Sequence, residues 1–301
     1  MHRSIARHLS SLLLLLAAFA GGNALAQKSV VTPLIWEVRS DSNAVYLLGS
    51  IHLGRRDMYP MGPVVEKAYQ ASKIVVLEAD PTDQESVMAA ISVSLYQPPE
   101  SLQKNLPGPL LVRLSRTLER YGIPLEQFQP MKPFLVAITL ASIEYAKAGF
   151  DPSLGVDMHF ARRANQDGKP VVELESFGGQ MALMSNLSGG LQESMLQVTL
   201  DSIDKGENPA LVGSMVDAWK SGDGTKLLDT VSAEERKLPA AVAQEFHRKF
   251  MSDRNIAMVG KIESMLKQPD VHFIAIGAAH LLGQDSVLQI LSKKGYRVRP
   301  L

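Results

Sequence analysis

Four stretches of the chain are apolar at nearly every position: residues 45–49 (VYLLG), 73–78 (KIVVLE), 170–175 (PVVELE) and 272–277 (HFIAIG). Runs of this length, rich in β-branched residues and closed by Gly or Glu, fit strands buried on both faces. Residues 35–39 (IWEVR) alternate instead, as a strand with one polar face does. They predict a hairpin with 45–49 across residues 40–43 (SDSN), whose side chains favour a turn. A last strand is expected at 296–298, after Gly295.

Between these runs the apolar period lengthens to that of a helix. Residues 63–72, 109–121, 133–148, 156–166, 178–186, 191–205, 208–222 and 286–294 each carry such a stripe, and several stop at a glycine. Residues 233–265 predict one or two long helices. Strands therefore gather at the two ends of the chain and around Val171, with helices filling the middle. The expectation is an α/β (α+β) fold: a central mixed sheet built from N- and C-terminal strands, flanked by helices, in one domain over residues 27–301.

The first 26 residues change the picture of where the chain works. Arg3 and Arg7 precede an unbroken apolar run at 12–20, and Ala24-Leu25-Ala26 ends it with small residues before Gln27. This is a cleavable secretory leader, and its apolar run is too short to span a membrane. The protein is expected to be exported, to a periplasm or beyond, with no stable membrane span after cleavage. Lys plus Arg and Asp plus Glu both number 31. There is no basic field to hold nucleic acid. Cysteine is absent, which removes thiolate catalysis, disulfides and cysteine zinc sites. Neither a nucleotide-binding glycine loop nor G-x-S-x-G nor H-E-x-x-H occurs, so no nucleotide cofactor is expected.

The chemistry is carried by an internal echo. Gly49-Ser50-Ile51-His52-Leu53-Gly54 follows one buried strand, and Gly277-Ala278-Ala279-His280-Leu281-Leu282-Gly283 follows another. In each, a glycine lets the chain turn off the sheet and a histidine lands beyond the strand's carboxyl end, where open α/β sheets bind ligands. Glu78 and Glu175 close two further strands at the same expected edge. Two imidazoles and one or two carboxylates bind a divalent cation with a water position left open. Without metal, the same groups give a histidine general base with a glutamate to orient it. A third reading has no catalysis, the histidines binding haem or a metal ion. Asp157 at a helix start and Arg254 with Asn255 in a helical stretch are candidate supporting residues. Each also has a plain reading, as complement to a helix dipole or as a solvated face.

Taken with the blocks LIWEVRSDSNAVYLLGSIHLG, VVLEAD, GVDMHFARRANQDGKPVVELES, Gln180, AWKSGD and MSDRNIAMVGKI, the paired G-x-x-H motifs resemble the TraB/GumN family, which includes the Tiki metalloproteases. The resemblance implies a fold related to erythromycin esterases and ChaN-like haem-binding proteins. It implies an active site at His52, Glu78 and His280, which would also be the metal ligands. Tiki-like members cleave peptides with manganese or cobalt. The reading is therefore an exported metal-dependent hydrolase acting on a peptide or small-molecule substrate.

Overall fold

A computed structural model describes residue 31 and residues 34–301. The leader expected at residues 1–26 lies outside the described residues. Six strands form one sheet: β1 (Ile35–Arg39), β2 (Ala44–Ser50), β3 (Ile74–Leu77), β4 (Val171–Glu173), β5 (His272–Gly277) and β6 (Arg297–Pro300), in the order β4-β3-β5-β2-β1-β6. β4, β3, β5 and β2 run parallel to one another, and β1 is antiparallel to both β2 and β6. The sheet is mixed, as expected, and β5 from the end of the chain lies at its middle.

The parallel strands read as continuous apolar runs because both faces are covered. Alternate side chains enter different cores. Leu48, Val75, Leu77, Phe273 and Ala275 pack against helices Pro63–Ala71, Val156–Asp167 and Asn208–Ser221. Val45, Leu47, Val76, Ile274 and Ile276 pack against helices Asp253–Leu266 and Val287–Lys293. The helices leading into β3 and β4 thus lie on one face, and the helix leading into β5 lies on the other. Where that side changes, the carboxyl ends of the strands border a crevice. A third core, with Leu114, Leu118, Leu140, Leu196 and Leu200, holds the helical middle of the chain together.

The helical stretch expected at 233–265 is two helices, parted near Pro239. Pro239 removes a backbone donor, and the chain forms Gly224–Glu235, then Ala240–His247 running through a π-helical turn at Arg248–Ser252 into Asp253–Leu266. Helix Gln84–Val93 has no counterpart in the expected pattern. Its apolar stripe is weak, and its start is set by Asp83, whose side chain accepts from Glu85 N at 3.2 Å.

Candidate functional site

The four parallel strands deliver their next residues to one edge. Backbone pairing runs past the strands proper: Glu78 N donates to Ala275 O at 3.0 Å, and Glu175 N to Glu78 O at 2.7 Å. Glu78 and Glu175 therefore leave the sheet side by side, and Lys261 Nζ secures the second by donating to Leu174 O at 2.5 Å. Ser50 and Gly277, paired across β2 and β5, start the two histidine loops at the same level.

The first loop is locked by glycine contacts. Gly54 exchanges backbone hydrogen bonds with Asp151 at 2.9 and 3.1 Å, and Val156 N donates to Ile51 O at 2.9 Å. A Cβ at Gly54 would fall on the carbonyl of Leu154, and one at Gly155 on that of His52. These glycines let two stretches of backbone touch, and this contact brings the start of helix Val156–Asp167 under His52. Asp157 on that helix then takes both polar side chains of the loop. His52 Nδ1 lies 2.8 Å from Asp157 Oδ2, and Ser50 Oγ donates to Asp157 Oδ1 at 2.7 Å. Since a carboxylate only accepts, His52 Nδ1 carries a proton and Nε2 is the ring's free nitrogen.

The second loop reaches the same result with an amide. Asn255 Nδ2 donates to Asp285 O at 2.7 Å, which fixes the amide with its oxygen toward His280. His280 Nδ1 sits 2.6 Å from Asn255 Oδ1 and is the donor. Its Nε2 is again the free nitrogen. The two rings differ in surroundings: the His52 side chain is 68% exposed, whereas His280 is only 5% exposed. The Asp157 charge raises the His52 pKa, with solvent on the ring's open face screening part of the attraction. Burial lowers that of His280, opposed in part by the Glu78 charge.

Glu78 stands in the fields of both histidines and is 4% exposed. Its Oε1 accepts from Arg254 Nη2 at 2.5 Å and Gln180 Nε2 at 2.8 Å, and its Oε2 from Gly277 N at 2.8 Å. Burial pushes it toward the neutral acid, but the His280, His52 and Arg254 charges and the Gly277 N–H outweigh this and hold its pKa at about 2. Of those charges, Arg254 is the one present at every ordinary pH. Its guanidinium also grips Glu175 through Nε at 3.0 Å and Nη2 at 2.6 Å, and donates from Nη1 to Phe250 O in the π turn at 3.2 Å. Gln180 Nε2 completes the net with 3.0 Å to Glu175 Oε2.

The structure thus gathers His52, Glu78, His280, Glu175, Asp157, Arg254 and Asn255 at one edge. The carboxylates that Arg254 clamps are the protein's own. Ser50 and Gly277 N–H are contributors that the motifs contain but do not announce. Oε1 of Glu78 is fully used, whereas Oε2 keeps one lone pair. Two imidazole Nε2 atoms and that oxygen match a divalent cation in donor chemistry. They form an open set: among the described residues no three His, Asp or Glu groups stand close enough to close on an ion as they are.

Two outcomes test this arrangement. A carboxylate held at about 2 against an ordinary 4.5 adds stability above pH 4.5, and that stability is lost as pH falls through 4.5 to 2. Glu78→Gln, which leaves Arg254 under-paired, should therefore cost about 3 kcal/mol or more at pH 7. The gap to the native chain should close between pH 4.5 and 2 in urea titrations. Gly155→Ala drives a methyl into backbone that cannot give way. It should cost about 1–3 kcal/mol and separate His52 from Asp157, seen as loss of the hydrogen-bonded Nδ1 proton signal by NMR.

Comparison with known proteins gives the family. The model of the TraB/PrgY/gumN family matches residues 34–300. The chain is 26% identical over 247 residues to the uncharacterised protein YbaP of Escherichia coli, covering 82% of this chain and 87% of that protein. It is 24% identical over 319 residues to the human metalloprotease TIKI1 and 23% identical over 319 residues to that of Xenopus tropicalis. Those matches cover 90% of this chain but only 62% of either TIKI1. No solved structure matches the chain. With the match spanning every described strand and both histidine loops, the chain belongs to the TraB/PrgY/gumN family.

Proposed function

We propose that this protein is an exported hydrolase that cuts peptide bonds at the His52–Glu78–His280 edge with the help of a divalent cation. The observation that carries the proposal is the matched tethering of the two rings. Asp157 and Asn255 each hold an Nδ1 proton, so both histidines present Nε2. His52 Nε2, His280 Nε2 and the spare lone pair of Glu78 Oε2 would hold the ion, and the metalloprotease name of the TIKI1 relatives supports that choice. When bound, such an ion polarises a carbonyl and makes a water nucleophilic near neutral pH. Asp157, Asn255 and Arg254 keep the three donors from turning away. Manganese or cobalt is the proposed metal, from the resemblance to Tiki-like members. Export rests on the leader pattern, and no helix among the described residues is long and apolar enough to cross a membrane.

A second reading has its own observation. The two histidines are pushed in opposite directions, His52 up and His280 down. Neighbours that separate two pKa values in this way make an acid and a base. Here neutral His280 Nε2 would take a proton from water, and charged His52 Nε2 would give one to the leaving group, with no metal. The rate would rise with pH as His280 loses its proton below 6.5, and fall at higher pH as His52, held above 6.5 by Asp157, loses its own.

Both readings are tested by incubating the purified protein with a fluorogenic peptide pool, with and without a chelator. The metal reading expects hydrolysis to stop on chelation and return with manganese or cobalt. It expects His52→Ala and His280→Ala each to lose about 10²–10⁴-fold in rate, with metal content by mass spectrometry falling in both. Chelator-resistant hydrolysis with a bell-shaped pH profile selects the acid–base pair. Hydrolysis undiminished in both alanine variants would exclude this edge as the active site.

A further inference from the structure

The AWKSGD stretch takes no part in the chemistry above, yet it and the helical turn that follows it touch both histidine loops. Trp219 is the largest fully buried side chain among the described residues. Its indole Nε1 donates to Gly49 O at 2.6 Å, giving that carbonyl a donor where the chain leaves β2 for His52. Three residues on, Gly222 adopts a φ of +71° and ends helix Asn208–Ser221. Asp223 then caps the next helix by accepting from Lys226 N at 2.9 Å. The corner is therefore fixed at both helix ends.

Its far side meets the second loop. A Cβ at Gly224 would lie 2.8 Å from Leu282 Cδ2, so the backbone there is seated against the residue two beyond His280. One turn later, the two methyl groups of Leu228 lie 3.5 and 3.7 Å from the Cβ position of Gly283. The loops also meet each other directly, since a Cβ on Gly49 would stand 3.0 Å from Ala278 Cβ. A side chain at Gly49 would crowd the second motif, which would have to give way by a few tenths of an ångström.

We propose that the corner at residues 219–228 is a brace that sets the spacing of His52 and His280. Trp219 is the positioning residue for the first loop, and Leu228 for the second. Neither touches a reacting group. Each acts on the backbone three residues from a histidine, where a shift of about 1 Å is enough to cost about 10²-fold in rate. The rate effect rests on the hydrolase reading, whereas the brace itself does not.

The test is imidazole NMR on ¹⁵N-histidine-labelled protein. Trp219→Phe keeps a buried ring and removes only the N–H donor. Leu228→Ala acts at a partly buried position outside the fully buried core, and so leaves the fold intact. The brace predicts that Trp219→Phe moves the His52 ring signals and, through Gly49 and Ala278, those of His280. Leu228→Ala should move His280 alone. His272, at the other end of β5, should stay fixed in both. Unmoved His52 signals in Trp219→Phe would overturn the proposal, as would His272 signals moving as far as those of the site. Hydrolysis by each variant should fall about 10²-fold. A native protein without hydrolysis would remove the hydrolase reading, with the NMR result still deciding the brace.

Discussion

A carboxylate taken out of water at the exit of β3 must be balanced, and Glu78 is balanced by Arg254. That ion pair ties the far ends of the fold together. Arg254 comes from a late helix, behind a π turn whose carbonyl it also holds. Glu78 comes from an early strand, and Glu175 from an edge strand between them in the chain. With the pair intact, Glu78 is an anion at any ordinary pH, and its remaining oxygen receives Gly277 N–H at the start of the second histidine loop. The ion pair therefore fixes charge and backbone position at once. It also makes Glu78 a poor general base, since a carboxyl held at about 2 has little tendency to take a proton.

The two histidine loops solve one problem by different chemistry. Each needs a ring held by Nδ1 with Nε2 left free. Asp157 does this with a charge and leaves its histidine more basic; Asn255 does it with a neutral amide, and burial leaves its histidine less basic. The sequence echo G-x-x-H thus produces two sites of unequal character, one open to solvent and one enclosed. His52 lies open to solvent, whereas His280 and Glu78 are buried.

Much of the fold was legible because buried parallel strands have a plain signature. VYLLG, KIVVLE, PVVELE and HFIAIG stand out as apolar runs, and in the structure each contributes to the sheet. The hairpin at Ser40 and Asn43 was equally clear from its turn chemistry. The order of the strands was not legible, because nothing local in HFIAIG says that it enters between β2 and β3. The helical middle was less clear: Gln84–Val93 has no strong stripe, and the break near Pro239 lies inside a long apolar pattern. At the site, His52, His280 and Glu78 followed from position after a strand. The partner of each histidine did not. Asp157 is 105 residues from His52 and Asn255 is 25 from His280, and both sit in helices where a solvated or dipole-facing role is the ordinary one. Nor did the sequence show why Gly54 and Gly155 are needed, which is contact between two backbones.

The central claim is that His52 and His280 act as one site across the sheet. The most direct measurement is a double-mutant cycle on peptide hydrolysis with His52→Ala, His280→Ala and the double variant. Residues that work as a unit are strongly non-additive. The account predicts that the double variant is scarcely slower than either single one. Losses that multiply, each histidine contributing its full factor independently of the other, would contradict it.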